Sequence, residues 1–379
     1  MNVLITGGAG FIGSRLAKKL ASTGVKVTIL DNLTEQIHGK HATFPDDLQS
    51  IARCVQGDIR DRSLMAQVII GQEVIVHYAA ETGTGQSMYA VEHYQDVNIR
   101  GTAVMLDILV NERSKSLRKL VVASSRAIYG EGRYHCTIHG DVYPKSRTVS
   151  AMSKGYFEPF CPVCKGPVQV MLSREDTPFS PSSFYGLTKQ MQEQMIVMFA
   201  GALDIDCFAL RYQNVYGPGQ SLSNPYTGIL AVFSNLVRQG KDINVFEDGQ
   251  ESRDFVYVDD VVEATALCVE PHIRGIQSLN VGSGVRTSVV DVAQSIVDYF
   301  NSNVAVRVTG DFRLGDIRHN VADISSLCTL TGFSPKWPFN DGLHQFLSWT
   351  ENKEAVDAGY ERSLTELKDR GLFSVAARH

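Results

Sequence analysis

Tyr185 and Lys189 are the residues of this sequence whose types and spacing most directly suggest chemistry, and they open a helical pattern that continues through Glu193. Because residues four apart share one face of a helix, the lysine ammonium can lie beside the phenol. Helped by the positive charge of a bound cofactor, it can lower the pKa of the phenol from about 10 toward the working range. A tyrosine tuned in this way can exchange a proton with a hydroxyl group while a hydride leaves the same carbon. By itself, however, Tyr-x-x-x-Lys is more often an ordinary solvated helix face.

A glycine-rich turn supports the chemical interpretation. The strand Val3–Ile5 leads into Gly7, Gly10 and Gly13, and an amphipathic helix and the strand Val27–Leu30 follow. In this context the glycines allow a tight turn, close approach of a pyrophosphate and close packing of the helix on the strand. The phosphates would lie at the helix N-terminus, where free N–H groups and the helix dipole favour anions. The pattern therefore predicts a dinucleotide site.

Two acidic residues indicate how the ends of the dinucleotide are held. Asp31 ends the second strand, where its carboxylate can accept both ribose hydroxyls of NAD and would repel the 2′-phosphate of NADP. No arginine immediately follows, so NAD is the expected cofactor. Asp58 is placed to accept from the adenine amino group, with the Ile59 backbone beside it. The alternatives are a turn cap before Asn32 for Asp31 and a helix N-cap for Asp58.

Further alternation of strands and helices predicts an α/β fold with a doubly wound parallel sheet. The strand Val74–His77 leads into small residues, a helix spans about Tyr94–Arg113, and the strand Leu120–Ala123 delivers Ser125. Ligands of such sheets bind at the carboxyl edge of the strands. The residues expected to bind the dinucleotide there are Gly7, Gly10, Phe11, Ile12, Gly13, Asp31, Asn32, Asp58, Ile59, Ala79, Ala80, Asn98, Ser124, Tyr185 and Lys189.

Five segments, taken in chain order, resemble one protein family. They are Gly7–Gly13, Ser124–Gly130, Tyr185–Lys189, Arg211–Pro218 and Arg253–Asp260. Together they resemble the extended short-chain dehydrogenase/reductases, in the branch of the nucleotide-sugar epimerases and dehydratases, over nearly the whole chain apart from one insertion and the tail. The resemblance implies an NAD cofactor and a nucleotide-diphosphate sugar as the substrate.

The resemblance also assigns Ser125, Tyr185 and Lys189 as the catalytic residues. The hydroxyl of Ser125 can both donate and accept, which suits an oxygen that alternates between alcohol and ketone. An ordinary strand-end serine is the alternative. The next two positions hold Asp-Glu in the family's 4,6-dehydratases but Arg126-Ala127 here. Because the carboxylate pair supplies the acid and the base that remove water, its absence favours epimerisation.

Cations and fixed donors are needed to bind a substrate diphosphate. By resemblance, Arg253 and Arg318 would reach the diphosphate, and Asn214 would hold a phosphate or sugar oxygen. The alternatives are surface arginines paired with Asp254 or Asp316, and an asparagine in a turn. The expected substrate-binding residues are Glu81, Thr82, Arg126, Asn214, Arg253 and Arg318.

About 60 residues separate Ser125 from Tyr185, a longer segment than most relatives need. This insertion contains two pairs with two intervening residues each, and their spacing is that of zinc knuckles. The expected ligands of a closed, structural zinc site are Cys136, His139, Cys161 and Cys164, with His135 as a less well-spaced substitute for His139. Free buried cysteines and a redox pair are the alternatives. The insertion is expected to cover the sugar pocket.

The expected organisation is a doubly wound parallel (Rossmann) sheet, a smaller interleaved α/β substrate domain and a knuckle-like insertion. The NAD-binding domain covers 1–212, with 254–270 returning to it. The insertion covers 131–176, and the nucleotide-sugar-binding domain covers 213–253 and 271–379. The tail beyond Glu351 is charged and helix-prone without a clear apolar stripe, and no function is assigned to it.

The expected reaction is an NAD-dependent epimerisation at C4 by transient oxidation and re-reduction. The segment Ala80–Met88, Arg126 and the insertion resemble the dTDP-L-rhamnose 4-epimerases, which implies interconversion of dTDP-L-rhamnose and dTDP-6-deoxy-L-talose. The alternatives are a UDP-hexose or UDP-N-acetylhexosamine 4-epimerase, a net oxidoreductase that exchanges its nicotinamide, and a non-catalytic NAD-binding sensor or scaffold.

Composition and charge narrow the partners and the compartment. The 379 residues are 44% apolar and 20% charged with a net charge of −5, which gives no reason to expect nucleic acid or an anionic membrane. No apolar run is long enough to span a bilayer, the first strand begins at Asn2, and seven cysteines argue against a secreted disulfide framework, so the cytoplasm is expected. By resemblance, a homodimer is expected through the helices Tyr94–Arg113 and Tyr185–Ala200.

Overall fold

A computed structural model describes the chain except residues 113–115, 225, 227, 356–358 and 375–379. The described strands are β1 Asn2–Thr6, β2 Lys26–Asp31, β3 Ala52–Gln56, β4 Val74–His77, β5 Lys119–Ser125, β6 Tyr134–Cys136, β7 Gly140–Val142, β8 Gln169–Val170, β9 Asp206–Tyr212, β10 Asn214–Tyr216, β11 Ile243–Val245, β12 Ser252–Arg253, β13 Phe255–Tyr257, β14 Ile276–Val281, β15 Thr287–Ser288, β16 Val306–Val308, β17 Phe312–Arg313, β18 His319–Asn320 and β19 Phe373–Ser374. The described helices are α1 Phe11–Ser22, α2 Glu35–His38, α3 Asp46–Gln49, α4 Arg62–Ile69, α5 Thr84–Ser87, α6 Val91–Tyr94, α7 Gly101–Asn111, α8 Val149–Met152, α9 Phe184–Leu203, α10 Ile229–Arg238, α11 Val258–Val269, α12 Val289–Tyr299, α13 Ser325–Thr331, α14 Phe339–Glu351 and α15 Tyr360–Asp369.

A seven-stranded parallel sheet, in the order β14-β9-β5-β4-β1-β2-β3, lies at the centre of the molecule. The chain winds outward from β1 through β2 to β3 and then returns to β4 on the other side of β1. This reversal opens a crevice at the carboxyl ends of β1 and β4, where doubly wound sheets bind their ligands. Thr6, Asp31, His77 and Ser125 end the four strands around that crevice. The predicted α/β fold with a doubly wound parallel sheet is confirmed.

The apolar sequences of the central strands follow from burial on both faces of the sheet. Successive side chains of a strand point to opposite faces. Val3 and Ile5 therefore belong to the core that also contains Leu16 of α1, while Leu4 belongs to a second core with Met105 of α7. A parallel sheet covered by helices on both sides needs such uninterrupted apolar runs.

The predicted boundary at residue 271 differs from the structure for one strand. β14 pairs in parallel register with β9, from Ile276 opposite Cys207 to Val281 opposite Tyr212. The part of the chain that returns to the central sheet therefore extends through Val281 and does not end at residue 270. A short apolar strand does not show in its own sequence which sheet it joins.

Short strands and helices build the wall opposite the central sheet. β11 pairs with β16, β12 lies between β15 and β18, β10 pairs with β13, and β17 pairs with β19. α10 and α12 pack on each other and on β11. This arrangement places β12, which ends at Arg253, and β17, which ends at Arg313, in the wall that faces the crevice.

The insertion forms a small antiparallel sheet of its own, in the order β7-β6-β8. Its buried cluster consists of Tyr134, Cys136, Val142 and Cys161. A core of this size is small, so the cysteines themselves are part of what holds it together.

The predicted helix Tyr94–Arg113 is divided in the structure. α6 ends at Tyr94, a π-helical stretch covers Gln95–Arg100, and α7 covers Gly101–Asn111. The predicted end at Arg113 lies outside the described residues. Within the described part of the chain, no helix combines the length and the apolar composition that crossing a membrane requires.

Candidate active site

A cavity of about 680 Å³ lies at the carboxyl edge of the central sheet. One side is formed by the glycine-rich turn, by the ends of β2, β4 and β5, and by the first turn of α9. The other side is formed by residues of α10, β11, β12 and β17 and of α15. The cavity is therefore continuous from the turn that could hold a dinucleotide to the wall that could hold a substrate.

The three predicted catalytic residues line this cavity together. Ser125 ends β5, and Tyr185 and Lys189 follow one another on the first turns of α9. The helix begins at this place because Ser183 caps it, its hydroxyl accepting a hydrogen bond from the backbone N–H of Gly186. The Tyr185 phenol lies close enough to the Ser125 hydroxyl for that group to act on its pKa. The sequence motif thus becomes a spatial group of a phenol, an alcohol and an amine.

In the chain without a cofactor, burial has the largest effect on the pKa values of Tyr185 and Lys189. Burial raises the pKa of Tyr185, while the neighbouring Ser125 hydroxyl and the charge of Arg126 oppose that rise. Burial also lowers the pKa of Lys189 to about 7, and its ammonium donates a 2.8 Å hydrogen bond to the carbonyl of Ala123. The predicted lowering of the phenol's pKa by Lys189 stays a prediction for the cofactor-bound protein, because burial acts against the charged forms of both groups in the chain alone.

Ser125 also has a structural role at the end of its strand, which was the alternative to a catalytic role. Its hydroxyl oxygen accepts a 3.1 Å hydrogen bond from the backbone N–H of Ala127 and so caps the 3₁₀ turn Arg126–Tyr129. A hydroxyl oxygen has two lone pairs and one proton, so capping leaves Ser125 able to donate to a substrate oxygen.

The glycine-rich turn approaches its neighbours too closely for side chains. A Cβ at Gly7, where φ is +68°, would lie 2.7 Å from the backbone nitrogen of Ala79. A Cβ at Gly13 would lie 2.5 Å from the carbonyl oxygen of Gly7. Gly10, Phe11 and Ile12 line the cavity at the N-terminus of α1, whose cap is Gly10. This leaves the backbone N–H groups at the start of α1 accessible to phosphates.

The predicted adenosine-binding residues lie at one end of the same cavity. Asp31 lines the cavity and accepts hydrogen bonds from the backbone N–H groups of Ala9 at 3.0 Å and Leu33 at 2.9 Å. These bonds hold its carboxylate in a fixed orientation. Asp58 is held by Arg60, whose hydrogen bonds lower the pKa of the carboxyl to about 2, so it remains an acceptor at any physiological pH.

Asn32, Ile59, Ala79 and Ala80 line the cavity as predicted, but Asn98 does not. Its amide is fully buried, accepts a 2.7 Å hydrogen bond from the N–H of Glu81 and donates to the carbonyl of Glu81 and the hydroxyl of Thr188. Asn98 therefore fixes the backbone beside the cavity, because every polar atom of its amide faces protein. Ser124 lines the cavity, but its hydroxyl donates to Glu193 behind the sheet.

Two neighbouring arginines give the cavity positive charge: Arg126 follows β5, and Arg253 ends β12 on the opposite side. Burial and the nearby charge of Arg253 lower the pKa of Arg126 to about 9. Arg253 donates to the carbonyls of Ser252, Ile317 and Arg318. Among the residues that the structure describes, no carboxylate forms an ion pair with either guanidinium. Two neighbouring cations without such a partner are well suited to an anionic ligand.

The alternative explanation for Arg253, an ion pair with Asp254, is wrong. Asp254 is fully buried and accepts hydrogen bonds from the backbone N–H groups of Ser283, Gly284 and Ala322. Its carboxylate therefore fixes a loop and leaves Arg253 to the cavity.

The structure places Arg318 away from the cavity and thereby corrects its predicted role. The side chain is 1% exposed and pairs with Glu158, Glu247 and Asp248. Arg313, which was not predicted, lines the cavity instead. The signal that could have identified it is the segment Arg313-Leu314-Gly315-Asp316, since Asp316 accepts a 2.8 Å hydrogen bond from Arg313 and orients it.

Neutral and acidic groups complete the lining. Glu81 and Thr82 line the cavity, and Glu81 lies 3.2 Å from a ring nitrogen of His93. Asn214 lines it with a side-chain oxygen that has no hydrogen-bond partner among the described residues. Gln213, which was not predicted, is 5% exposed, and neither polar atom of its amide has a described partner. Buried amides without partners indicate a site for a polar ligand.

The four predicted metal ligands of the insertion converge. The Sγ of Cys136 lies 3.6 Å from Nδ1 of His139 and 3.7 Å from Sγ of Cys164, and Sγ of Cys161 lies 3.5 Å from the same Nδ1. All four ligand atoms lie within 4.8 Å of one another. His135 turns away toward Asp141, at 3.7 Å, and so does not substitute for His139.

A model of the NAD dependent epimerase/dehydratase family matches residues 3–282 of the sequence. The chain belongs to this family. A dTDP-L-rhamnose 4-epimerase from Burkholderia thailandensis is 36% identical over 351 residues, which are 92% of this chain and 94% of that protein. A UDP-glucose 4-epimerase from Mycolicibacterium smegmatis is 29% identical over 359 residues, 93% of this chain and 99% of that protein.

Solved structures of epimerases are similar over most of the chain. The UDP-glucose 4-epimerase of Thermotoga maritima with UDP-glucose has a TM-score of 0.75 and 27% identity, covering 93% of this chain and 99% of that one. The UDP-glucose 4-epimerase of Thermus thermophilus, in complex with NAD, has a TM-score of 0.73 and 25% identity, covering 93% of this chain and 100% of that one. The prediction of an NAD-dependent nucleotide-sugar epimerase, an isomerase, is confirmed at the level of the family.

Proposed function

We propose that the protein is an NAD-dependent 4-epimerase that converts dTDP-L-rhamnose to dTDP-6-deoxy-L-talose. The observation that carries the epimerase assignment is the convergence of Ser125, Tyr185 and Lys189 in one cavity with the glycine-rich turn. The cation Arg126 follows β5 on the side of the central sheet, and Arg253 and Arg313 line the opposite side, where a diphosphate would be bound. The specific sugar is supported by the similarity to the Burkholderia enzyme.

The residues of the cavity fit NAD. The backbone of the glycine-rich turn is free of side chains where a pyrophosphate would lie, and Asp31 offers an oriented carboxylate to the ribose hydroxyls. Bound NAD would supply the acceptor, and then the donor, of the hydride that leaves C4 of the sugar and returns to it. Ser125 and Tyr185 surround the position of the 4-oxygen. Tyr185 takes the proton of the 4-hydroxyl and later returns it, and Ser125 donates a hydrogen bond to the oxygen while it is a ketone.

The first experiment replaces Tyr185 by Phe in the NAD-loaded protein. The phenol carries the proton path, so turnover should fall by at least about a hundredfold, while the NAD content and thermal stability remain close to those of the parent protein. Tyr156→Phe, an exposed residue of the insertion, is the matched control and should keep full turnover. Full turnover of the Tyr185→Phe protein would refute the assigned role.

The sugar is tested by offering dTDP-L-rhamnose, UDP-glucose and UDP-N-acetylglucosamine separately and following the configuration at C4 by proton NMR. We expect conversion of dTDP-L-rhamnose to the 6-deoxy-L-talose epimer and little conversion of the UDP sugars. Efficient conversion of a UDP sugar alone would replace the proposed substrate by a UDP-hexose or UDP-N-acetylhexosamine and leave the reaction class intact.

Two other functions give different outcomes in the same assay. A net oxidoreductase would change the reduced-nicotinamide absorbance in proportion to the sugar consumed, whereas an epimerase leaves it constant over many turnovers. A non-catalytic NAD-binding sensor or scaffold would convert no sugar. The presence of Ser125, Tyr185 and Lys189 in one cavity favours an enzyme over the sensor, and the similarity to 4-epimerases favours epimerisation over net oxidation.

We also propose that Cys136, His139, Cys161 and Cys164 bind a structural zinc ion. A tetrahedral zinc with Zn–S distances of about 2.3 Å and a Zn–N distance of about 2.0 Å separates two sulfurs by about 3.8 Å and a sulfur from a nitrogen by about 3.5 Å. The observed separations of 3.7, 3.6 and 3.5 Å match these values. Four protein ligands leave no open position, as in a structural site.

Elemental analysis of protein purified without added metal should find one zinc per chain. Cys161→Ser should lose it, whereas Cys54→Ser and His135→Ala, which alter residues outside the cluster, should retain it. Parent protein that is folded and free of zinc would refute this assignment.

We further propose that two copies of the chain associate through α9. Leu187, Met191 and Met198 are 41%, 38% and 62% exposed on this helix, while Met195 packs against the core. Light scattering coupled to size-exclusion chromatography should show a dimer that Met191→Glu with Met198→Glu converts to a monomer. Ile70→Glu, a change at an exposed residue just after α4, is the control and should leave the dimer intact.

A further inference from the structure

The C-terminal helix α15 presents a polar face to the substrate cavity. Tyr360, Ser363 and Leu367 are spaced three and four residues apart, so they share one face of the helix, and all three line the cavity. The other face is solvent-exposed, and the side chain of Arg362 is 85% exposed. Leu367 is buried, and Leu364 and Tyr360 are half-buried, so apolar contacts hold only part of this short helix.

A hydrogen-bonded cluster of tyrosines fastens α15 across the cavity. Glu366 accepts hydrogen bonds from the hydroxyls of Tyr89 at 2.9 Å and Tyr226 at 3.3 Å, and the two hydroxyls lie 2.6 Å apart. The guanidinium of Arg370 lies 4.5 Å from the centre of the Tyr89 ring. Tyr89 follows α5 on the side of the central sheet and Tyr226 precedes α10 on the opposite side. The helix is therefore attached to both sides of the cavity.

The segment after α15 is fastened to the strand that carries a cavity arginine. β19 pairs antiparallel with β17, with Phe373 opposite Arg313. The ring of Phe373 lies 5.3 Å from that of Phe246, and the guanidinium of Arg313 lies 5.3 Å from the same Phe246 ring. The C-terminal segment therefore fixes the strand and the aromatic ring against which Arg313 is positioned.

Tyr360 is the residue of this segment best placed to meet a ligand. It lines the cavity close enough to Arg313 and Asp316 for their charges to act on its pKa. Its hydroxyl has no hydrogen-bond partner among the residues that the structure describes. Ser363 differs, because its hydroxyl donates a 2.7 Å hydrogen bond to the carbonyl of Tyr360 within the helix.

From these contacts we infer that the segment Gly359–Ser374 is a wall of the nucleotide-sugar site and that the Tyr360 hydroxyl donates a hydrogen bond to the substrate diphosphate beside Arg313. This inference rests on the proposed function, because it takes the ligand of the cavity to be a nucleotide-diphosphate sugar. Leu367 packs against the small residues that follow β4, since its side chain lies 3.6 Å from the position of a Cβ on Gly85. This contact excludes water from that end of the wall. A tail that the sequence leaves without a function thus becomes part of substrate binding.

The first test measures dTDP binding to the NAD-loaded protein by calorimetry and the kinetics of the epimerisation. Tyr360→Phe removes only the hydroxyl, so the Kd for dTDP and the KM of the sugar nucleotide should each rise about tenfold or more, as expected for a hydrogen bond to a charged group. The kcat and the NAD content should remain unchanged. Thr365→Ala, a change on the exposed face of the same helix, should leave the Kd unchanged.

Arg313→Met separates the failure of this inference from the failure of the proposed function. If Arg313→Met weakens dTDP binding and Tyr360→Phe does not, the ligand is bound as proposed and the role of Tyr360 is wrong. If the parent protein binds neither dTDP nor UDP, the proposed function fails, and the inference fails with it.

The second test follows backbone amide exchange with deuterium. Binding of dTDP to the NAD-loaded protein should slow exchange in the peptides that cover 360–369, because a ligand in contact with the wall restrains its opening. Glu366→Ala, which removes the acceptor of both tyrosine hydroxyls, should speed exchange in the same peptides and raise the Kd for dTDP. Exchange across 360–369 that does not respond to dTDP would refute the inference that this segment is a wall of the site.

Discussion

Replacing Arg147 by Met should disconnect the insertion from the wall of the substrate cavity. The Arg147 side chain is 4% exposed and pairs with Glu131 at 2.9 Å and with Glu247 at 2.8 Å. It also donates to the carbonyl oxygens of Phe157 at 3.1 Å and Asp316 at 3.0 Å. One guanidinium therefore joins two parts of the insertion to the turn that orients Arg313.

The loss of unfolding free energy depends on the contacts that Glu131 and Glu247 keep after the guanidinium is removed. Breaking a buried ion pair by removing one partner costs about 3–5 kcal/mol of unfolding free energy, because the other charge is left buried. Arg318 retains a 2.9 Å contact with Glu247, and its backbone N–H donates a 2.8 Å hydrogen bond to Glu131. We therefore expect a loss near the lower limit, about 3 kcal/mol.

The loss should depend on pH in a defined direction. Burial raises the pKa of Glu131, and the charge of Arg147 opposes that rise. Without Arg147 the folded-state pKa rises further above the unfolded value, so the folded protein binds more protons than the unfolded chain in the interval between them. Stability in that interval falls as pH rises. The Arg147→Met protein should therefore be less destabilised at pH 5 than at pH 8.

Urea unfolding of the NAD-loaded protein at pH 5 and pH 8 measures both quantities. Arg174→Met is the matched control, since Arg174 lies in the same insertion and pairs with Asp176 at the surface, where such pairs contribute about 1 kcal/mol or less. The Kd for dTDP should also rise in Arg147→Met, because the Asp316 turn is released. Equal losses for Arg147→Met and Arg174→Met, or a loss for Arg147→Met that is the same at both pH values, would refute the reasoning.

Three further predictions concern the cofactor side. Gly13→Val should abolish NAD retention, measured by absorbance after gel filtration, because a Cβ there would lie 2.5 Å from the carbonyl oxygen of Gly7. As the control, a Cβ at Gly201 meets no atom closer than 3.8 Å, so Gly201→Ala should retain NAD. Asp31→Asn should weaken NAD binding about tenfold by calorimetry, because a neutral amide accepts ribose hydroxyls less strongly. Lys189→Met should remove part of the pH dependence of cofactor-free unfolding: burial lowers the pKa of Lys189 to about 7, so the parent protein loses stability as pH falls from about 10 to 7. An unchanged dependence would show that Lys189 titrates normally.

The central sheet and the catalytic group could be predicted because their signals are local. The apolar run of β1 and the glycines that follow it specify a strand and a turn within a few residues. Tyr185 and Lys189 are neighbours on one helix, and the order of the strands brings Ser125 to them. What the sequence left open was the partner of β14, because the choice of a neighbouring strand depends on the packing of distant segments.

The role of Arg318 was predicted wrongly for the same reason, because it depends on the packing of distant segments. Arg313 and Arg318 are close in sequence and equally charged, and nothing local distinguishes a ligand-binding arginine from a structural one. Their difference arises from Glu158 of the insertion and from Glu247 and Asp248, which surround Arg318 in three dimensions. A sequence pattern can predict that a cation is needed in a region, but the positions of distant carboxylates decide which cation remains accessible.

Arg126 has a larger part in the chemistry than its sequence position suggests. It occupies the first of the two positions where related dehydratases carry an acidic pair, so its presence removes a group needed for elimination. The structure adds a second effect, because the charge of Arg126 opposes the rise that burial causes in the pKa of Tyr185, and the phenolate in turn favours the charged arginine. With pKa values of about 9 for Arg126 and about 7 for Lys189, the arginine is the cation that remains charged at slightly alkaline pH.

The type of residue at position 126 therefore affects both the kind of reaction and the ionisation of Tyr185. A carboxylate at position 126 would raise the pKa of Tyr185 by repulsion, and it would supply one of the two groups that related dehydratases use to remove water. An arginine there favours the phenolate and adds a cation next to Arg253, where a diphosphate would be bound. Selectivity for epimerisation and the electrostatic activation of Tyr185 can thus follow from one residue, since both depend on the sign of the charge beside the phenol.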